Sequence, residues 1–253
     1  MGSKKTKALY YELSSLYSRI FNSKKWFMNY GYFEEKEIAL QPADEKYRFH
    51  IQLYNHILHS ANLKGQNVLE ISCGRGGGCN YLMNYHFINS VTGIDLAKNN
   101  IALCKKLILD KNAAFYVANA ETFNLTEKLF DTVINLEASH NYADKHAFFV
   151  NVNKHLLPAG YFFFADAYPE HKLKEIENII LSTGFKLEKF EDISAGVIKS
   201  IELNSKLLYP LSSRFPKLIP KKIKNMQGNS ESLLYKKLKS GEMKYVSYVF
   251  SKL

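Results

Sequence analysis

From Gln66 onward, apolar residues fall into short β-branched and aromatic runs, separated by stretches in which they recur every three or four positions. A period of two marks strands and a period near 3.6 marks helices. The pattern predicts strands over 67–72, 90–95, 113–118, 129–136 and 160–167, with helices over 77–85, 97–110 and 144–157. Strands alternating with helices require a mostly parallel sheet covered on both faces, joined by right-handed crossovers. A further helix over 170–183 carries Leu173, Ile176, Ile179 and Ile180 on one face, Gly184 ends it, and Phe185 to Phe190 reads as another strand. Residues 242–250 alternate like a strand and are expected to close the sheet as its last member.

The flanks differ. Apolar spacing predicts helices over 7–22 and 44–62 ahead of the sheet. Between them, Trp26-Phe-Met-Asn-Tyr-Gly-Tyr-Phe33 is too aromatic for a solvent loop and is expected to cover something apolar. Residues 192–230 break the rhythm: Pro210, Pro216 and Pro220 interleave apolar pieces before Lys221-Lys-Ile-Lys224, which suggests a cap over a pocket. The expected fold is therefore α/β and doubly wound, as a single domain over 1–253. Its parts are N-terminal helices with an aromatic lid (1–63), a core (64–191), a cap (192–230) and a final strand (231–253).

Composition narrows the function classes. With 253 residues, 46% of them hydrophobic, the chain can bury a full core. No apolar run approaches the ~20 residues that span a bilayer, and residues 1–25 lack a secretory apolar stretch, so the expectation is a soluble, cytoplasmic protein. Cys73, Cys79 and Cys104 form no C-x-x-C pair and are expected to be reduced structural thiols. His56 and His59 lie three apart on a helix, but no Cys or Asp cluster completes a ligand set, so no metal is expected. The net charge of +10 favours anionic partners such as acidic lipid surfaces, phosphorylated substrates or nucleic acid. Met1-Gly2-Ser3-Lys4-Lys5-Thr6 and Ser251-Lys252-Leu253 match weak lipidation and peroxisomal patterns.

The densest chemical signal is Val68-Leu-Glu-Ile-Ser-Cys-Gly-Arg-Gly-Gly-Gly78, a strand running into glycines, followed by the strand that ends at Asp95. Gly74, Gly76 and Gly77 lack the Cβ that would obstruct a tight strand-to-helix turn, so backbone N–H groups can approach a ligand. Asp95 is placed to accept both hydroxyls of a ribose. The glycine spacing leaves no room for G-x-G-x-x-G, which weakens a dinucleotide reading. It is similar to motif I of the S-adenosylmethionine-dependent methyltransferases, in which an acid two places before the C-G-x-G element, here Glu70, sits near the cofactor's amino-acid end. Ser72 lies in the same turn.

Ligands of such sheets bind beyond the carboxyl ends of the strands, where strand order reverses. That places Asp95-Leu96, Asn119-Ala120-Glu121 and the run Asn135-Leu136-Glu137-Ala-Ser-His140-Asn141 around the cofactor. The amide of Asn119 stands where a group would reach the adenine amine. His140 lies where the methyl group should point, and a neutral imidazole can take the proton of a hydroxyl. Asp166, at the end of the neighbouring strand, either orients His140 or acts on the acceptor directly.

Residues 26–33, 68–168 and 230–252 resemble the phthiotriolone/phenolphthiotriolone dimycocerosates methyltransferase type of small-molecule and lipid O-methyltransferases. The matching stretches are Met28-Asn-Tyr-Gly-Tyr32, Leu69-Glu-Ile-Ser-Cys-Gly-Arg-Gly-Gly-Gly78, Gly93-Ile-Asp-Leu96, Asn135-Leu-Glu-Ala-Ser-His140 and Ser240-Gly-Glu-Met-Lys-Tyr245. The resemblance implies a class I Rossmann-like fold, S-adenosylmethionine as donor and methylation of an oxygen on an apolar metabolite. It also implies that His140 and Asp166 serve as base and partner, and that Tyr30 and Tyr32 help enclose the cofactor. An apolar, basic cap suits a lipid, polyketide or isoprenoid acceptor presented at a membrane surface. Three rivals stand beside this reading. A nucleic-acid methyltransferase has only the charge in its favour and lacks an Asn/Asp-Pro-Pro-aromatic element after the fourth strand. A binding-only descendant would keep the fold with little turnover, and an isoprenoid C-methyltransferase would use lysines within 217–224 as a head-group clamp.

Overall fold

The computed structural model describes residues 26–36, 38–59, 61–125, 128–212 and 232–253, with side chains of 206–212 excepted. The expected helix over 7–22, the lysines of 217–224 and most of the expected cap lie outside the described residues. Seven strands form one sheet: β1 (Asn67–Ile71), β2 (Ser90–Asp95), β3 (Ala113–Val117), β4 (Phe130–Leu136), β5 (Leu156–Pro169), β6 (Phe185–Asp192) and β7 (Met243–Lys252). Their order is β3-β2-β1-β4-β5-β7-β6. β1 to β5 pair in parallel, while β7 runs antiparallel to both β5 and β6. The order turns back at β1, which lies between β2 and β4, so the ligand crevice belongs above Ile71.

The helices are α1 (Arg48–Leu58), α2 (Gly77–Tyr85), α3 (Lys98–Leu107), α4 (Lys145–His155), α5 (Leu173–Leu181), α6 (Ser194–Ser212) and α7 (Leu233–Lys239). Side chains alternate along each strand and feed two cores. Val68, Ile134 and Phe163 join Ile57, Leu82, Cys104 and Val197 on one face. Leu69, Val133, Phe162 and Phe164 join Phe148, Val152, Ile176 and Ile180 on the other. Phe162 has ring centroids of Phe185, Phe164 and Phe149 at 5.6, 5.7 and 6.2 Å, so this second core is an aromatic stack. Asp144 caps α4, its carboxylate accepting the Ala147 N–H at 2.9 Å.

Three expectations need correction. β7 is not the last member of the sheet but lies inside it, leaving β6 at the edge, because Tyr245, Val246, Tyr248 and Phe250 are buried on both faces and fit only an interior strand. The segment after Asp192 is not irregular: α6 begins at Ser194 and buries Val197 and Ile201 at helical spacing. The last segment also opens with a helix, α7, capped by the Ser232 hydroxyl. Ser251 and Lys252 end β7, and the Lys252 ammonium donates to the Asn153 and Leu156 carbonyls. Cys73, Cys79 and Cys104 are buried free thiols. Among the described residues no helix is long and apolar enough to cross a membrane.

Phe162→Ala should lower unfolding free energy by about 3–5 kcal/mol, since it empties the centre of the aromatic stack. Urea denaturation followed by circular dichroism reads this, and a midpoint within error of the parent would show that the stack does not carry the second core.

Candidate cofactor and acceptor site

The carboxyl ends of β1, β2, β3 and β4 surround a cavity of about 640 Å³, closed on one side by residues 26–30. A volume of that size suits a nucleoside cofactor with part of a second molecule. Tyr30, Ser72, Gly74, Gly77, Asp95, Leu96, Asn119, Ala120, Glu121, Leu136, Glu137 and His140 all line it. Tyr32, Glu70 and Gly76 do not. The Tyr32 ring lies over His56 at 4.2 Å and against Gly196 of α6. Gly76 takes the left-handed φ of +79° that starts α2. Glu70 is buried beneath Gly78, where its Oε1 accepts the Tyr54 O–H at 2.6 Å and its Oε2 the Cys79 S–H at 2.9 Å. Burial raises the Glu70 pKa against the pull of those donors.

The turn after β1 and the end of β2 are tied together. Asp95 Oδ2 accepts the Gly74 N–H at 2.9 Å, and Oδ1 accepts the Ala97 N–H at 2.8 Å. The Asn100 amide also donates to Oδ1 at 3.3 Å, so a diol would share the carboxylate with these donors. Gly74 itself is left-handed, with φ +56°, and a Cβ there would approach the Met28 sulfur at 3.2 Å. A side chain at Gly74 would therefore close the passage between turn and lid. Ser72 and Tyr142 share one hydrogen bond of 2.6 Å, and Asn135 Nδ2 donates to Tyr142 Oη at 2.9 Å. Two hydroxyls sharing one bond leave one O–H to donate into the cavity, which suits the carboxylate of an amino-acid moiety. Ala118, Ala120 and Leu96 supply apolar wall near Asn119, whose Oδ1 accepts the Glu121 N–H at 3.0 Å. Diol acceptor, hydroxyl donor and apolar wall together fit S-adenosylmethionine.

His140 and Asp166 meet beside this wall. His140 Nδ1 lies 2.7 Å from Asp166 Oδ1, and the His140 backbone N–H donates to Oδ2 at 2.9 Å. Ser139 Oγ adds a 2.6 Å donor to Oδ2, and the Ala167 N–H a 2.8 Å donor to Oδ1. The His140 side chain is 42% exposed and that of Asp166 only 1%, so an acceptor meets His140 and not the carboxylate. Burial alone would push the Asp166 pKa up, but the charge and hydrogen bonds of His140 and Ser139 hold it below its ordinary value. Burial likewise opposes charge on His140, and Asp166 outweighs it, so the imidazole pKa is raised. With Nδ1–H given to Asp166, Nε2 is the proton acceptor, and Asn141 Nδ2 lies 2.7 Å from it.

Tyr142 and the 4%-exposed Arg75 line the cavity and had not been singled out by sequence reasoning, whereas Met28 and Asn141, which lie in stretches the sequence did single out, also line it. Arg75 sits between two left-handed glycines, and that placement was the available signal. His56 of α1 and His59 just after it do not meet a common ligand: His56 Nε2 faces Glu191 at 3.1 Å, while His59 Nδ1 faces the His56 carbonyl at 2.6 Å. Among the described residues no group of three or more His, Cys, Asp or Glu could hold a metal.

Known proteins resemble this chain in sequence and in fold. Residues 69–164 match the family model described as a methyltransferase domain. The phthiotriol/phenolphthiotriol dimycocerosates methyltransferase of Mycobacterium tuberculosis is 33% identical over 237 residues, 91% of this chain and 87% of that one. The fatty-acid O-methyltransferase of Mycolicibacterium smegmatis is 30% identical over 228 residues, 89% of this chain and 83% of that one. Among solved structures, the cyclopropane synthase MmaA2 from Mycobacterium tuberculosis superposes with a TM-score of 0.76 at 18% identity, covering 96% of this chain and 95% of that one. At that identity the likeness speaks for the fold.

Asp95→Ala should weaken S-adenosylmethionine binding by about 10- to 100-fold, the range for losing hydrogen bonds to a charged acceptor. Isothermal titration calorimetry measures this, and a dissociation constant equal to the parent's would remove Asp95 from the ribose role.

Proposed function

Because this chain belongs to the S-adenosylmethionine-dependent methyltransferases of the phthiotriol/phenolphthiotriol dimycocerosates methyltransferase family, we propose that it methylates a hydroxyl oxygen of an apolar, lipid-like or polyketide acceptor. The observation that carries the oxygen assignment is the His140–Asp166 pair at the cavity wall. A hydroxyl is a poor nucleophile until its proton has somewhere to go, whereas a group already anionic, or an alkene, needs no such partner at the outset.

S-adenosylmethionine supplies the methyl group and leaves as a neutral thioether. The chain's own residues bind, align and accept a proton. Asp95, the Ser72–Tyr142 pair and the Gly74 turn would hold the donor's ribose and amino-acid end, with Asn119 at the adenine. His140 Nε2 receives the acceptor proton once the Asn141 amide gives way to the acceptor oxygen. Asp166 fixes the imidazole tautomer and offsets the imidazolium charge as it forms. Trp26, Phe27 and Met28 close the cavity against water, so most of the rate comes from alignment in a dry site.

The apolar acceptor is supported by the lid chemistry and by relatives named for a dimycocerosate lipid and for fatty acids. The net charge of +10 suits a cytoplasmic enzyme that meets such acceptors at an acidic membrane surface.

His140→Ala should lower kcat by about 10²- to 10⁴-fold while leaving donor affinity unchanged. If donor binding falls in parallel, the residue is structural. The base must be neutral, so kcat/KM should rise with pH through the His140 pKa, with a midpoint above the ordinary imidazole value. Asp166→Asn removes the charge that raises that pKa and leaves the burial that lowers it, so the midpoint should move to lower pH. A midpoint that stays in place would assign the titration to another group.

A further inference from the structure

Glu137 follows β4 at a junction of three parts of the molecule. Its Oε1 accepts the Tyr30 backbone N–H at 2.9 Å from the aromatic lid and the Tyr245 O–H at 2.6 Å from β7. Its own N–H donates to the Ala165 carbonyl of β5 at 2.8 Å. The residue holds a left-handed φ of +52°, a conformation that costs an L side chain energy and persists only where surroundings enforce it. Both side-chain bonds fall on Oε1, leaving Oε2 without a partner among the described residues, and Glu137 lines the cavity that Asp95 and His140 also line.

The charges around it are few. Asp166 of β5 disfavours ionisation of Glu137 and His140 favours it, while Tyr30, Tyr54 and Tyr245 face it from the lid, α1 and β7. Burial dominates and pushes the Glu137 carboxyl up to about 8, against the pull of the Tyr245 and Tyr30 donors. A carboxyl poised there changes its charge whenever a charge is brought into the cavity or taken from it. The methyl donor carries a sulfonium; the product left after transfer carries a neutral thioether in its place. That one charge is the largest difference between the two molecules.

We propose that Glu137 is the specificity-determining residue by which the cavity distinguishes the sulfonium donor from its thioether product, and that the same carboxylate couples this choice to the lid through Tyr30. With the donor bound, Glu137 gives its proton to solvent, and its ionised Oε1 strengthens the bonds from Tyr30 and Tyr245 that hold the lid. After transfer the positive charge is gone, Glu137 takes a proton back from solvent, and the hold on Tyr30 weakens. Product release is thereby favoured by the same group that secured the substrate. The inference needs no acceptor, so it stands or falls separately from the oxygen assignment.

The test is calorimetric, on the intact protein with S-adenosylmethionine and S-adenosylhomocysteine as probes. Titrations in two buffers of different ionisation enthalpy count the protons released. In the parent protein the donor should release more protons than the product near neutral pH. The donor-to-product affinity ratio should rise about tenfold from about pH 6 to pH 9, the change expected if the donor lowers the carboxyl pKa by about one unit more than the product does. Glu137→Gln, which keeps an acceptor for Tyr30 and Tyr245, should abolish the extra release and flatten the ratio. His140→Gln should retain both. A flat ratio in the parent protein overturns the proposal even if Glu137→Gln fails to fold. Extra release that survives in Glu137→Gln, or that vanishes only in His140→Gln, overturns it as well.

Discussion

A carboxylate taken out of water must collect hydrogen-bond donors or lose its charge, and four adjacent strands of this sheet have such a group at or near their carboxyl ends. Glu70 near the end of β1 holds Tyr54 of α1 and Cys79 of α2. Asp95 on β2 holds the Gly74 turn and the start of the next segment at Ala97. Glu137 after β4 holds Tyr30 and Tyr245, and Asp166 on β5 holds Ser139 and His140. Each loop above the sheet is thus pinned from below by a group on a rigid strand. The cavity owes its shape to these attachments, since loops alone have too few apolar contacts to set themselves within a fraction of an ångström.

The pKa values of Glu70, Glu137 and Asp166 are pushed in different directions, and the differences follow from their neighbours. Asp166 gathers the His140 imidazole and several donors, which hold its pKa below the ordinary value despite full burial. Glu70 and Glu137 have only neutral donors, so burial prevails and raises the pKa of both. Environments that push neighbouring carboxyl groups apart are a recurrent way of dividing roles in an active site. Here they separate a permanent anion that supports the base from a neutral acid in the cavity wall.

The aromatic residues divide in a parallel way. Phe148, Phe149, Phe162, Phe164 and Phe250 fill the second core of the sheet and make it stiff. Trp26 and Phe27 line the site instead, with Phe27 packed on Tyr47 and Tyr54 at 5.4 and 6.0 Å. A rigid sheet beneath a packed but replaceable aromatic cover is the arrangement that dry, aligned group transfer requires.

The local pattern of the chain determined the strands from Asn67 to Asp192, the helices between them, the glycine turn, and a histidine and an acid at neighbouring strand ends. Those features are written in periodicity and in residue types that short segments impose on themselves. Tertiary structure decided what contacts between distant segments control. β7 was legible as a strand, but its insertion between β5 and β6 was not, because pairing partners leave no mark on a strand's own alternation. α6 was hidden because the prolines at 210, 216 and 220 read as breaks from the sequence, while Val197 and Ile201 found their helical face only against the core. Tyr32 and Glu70 matched a motif yet are not among the residues that line the cavity. The contact that gives Asp166 its charge, and the one that joins Glu137 to Tyr30 across 107 positions, exist only once the sheet has assembled.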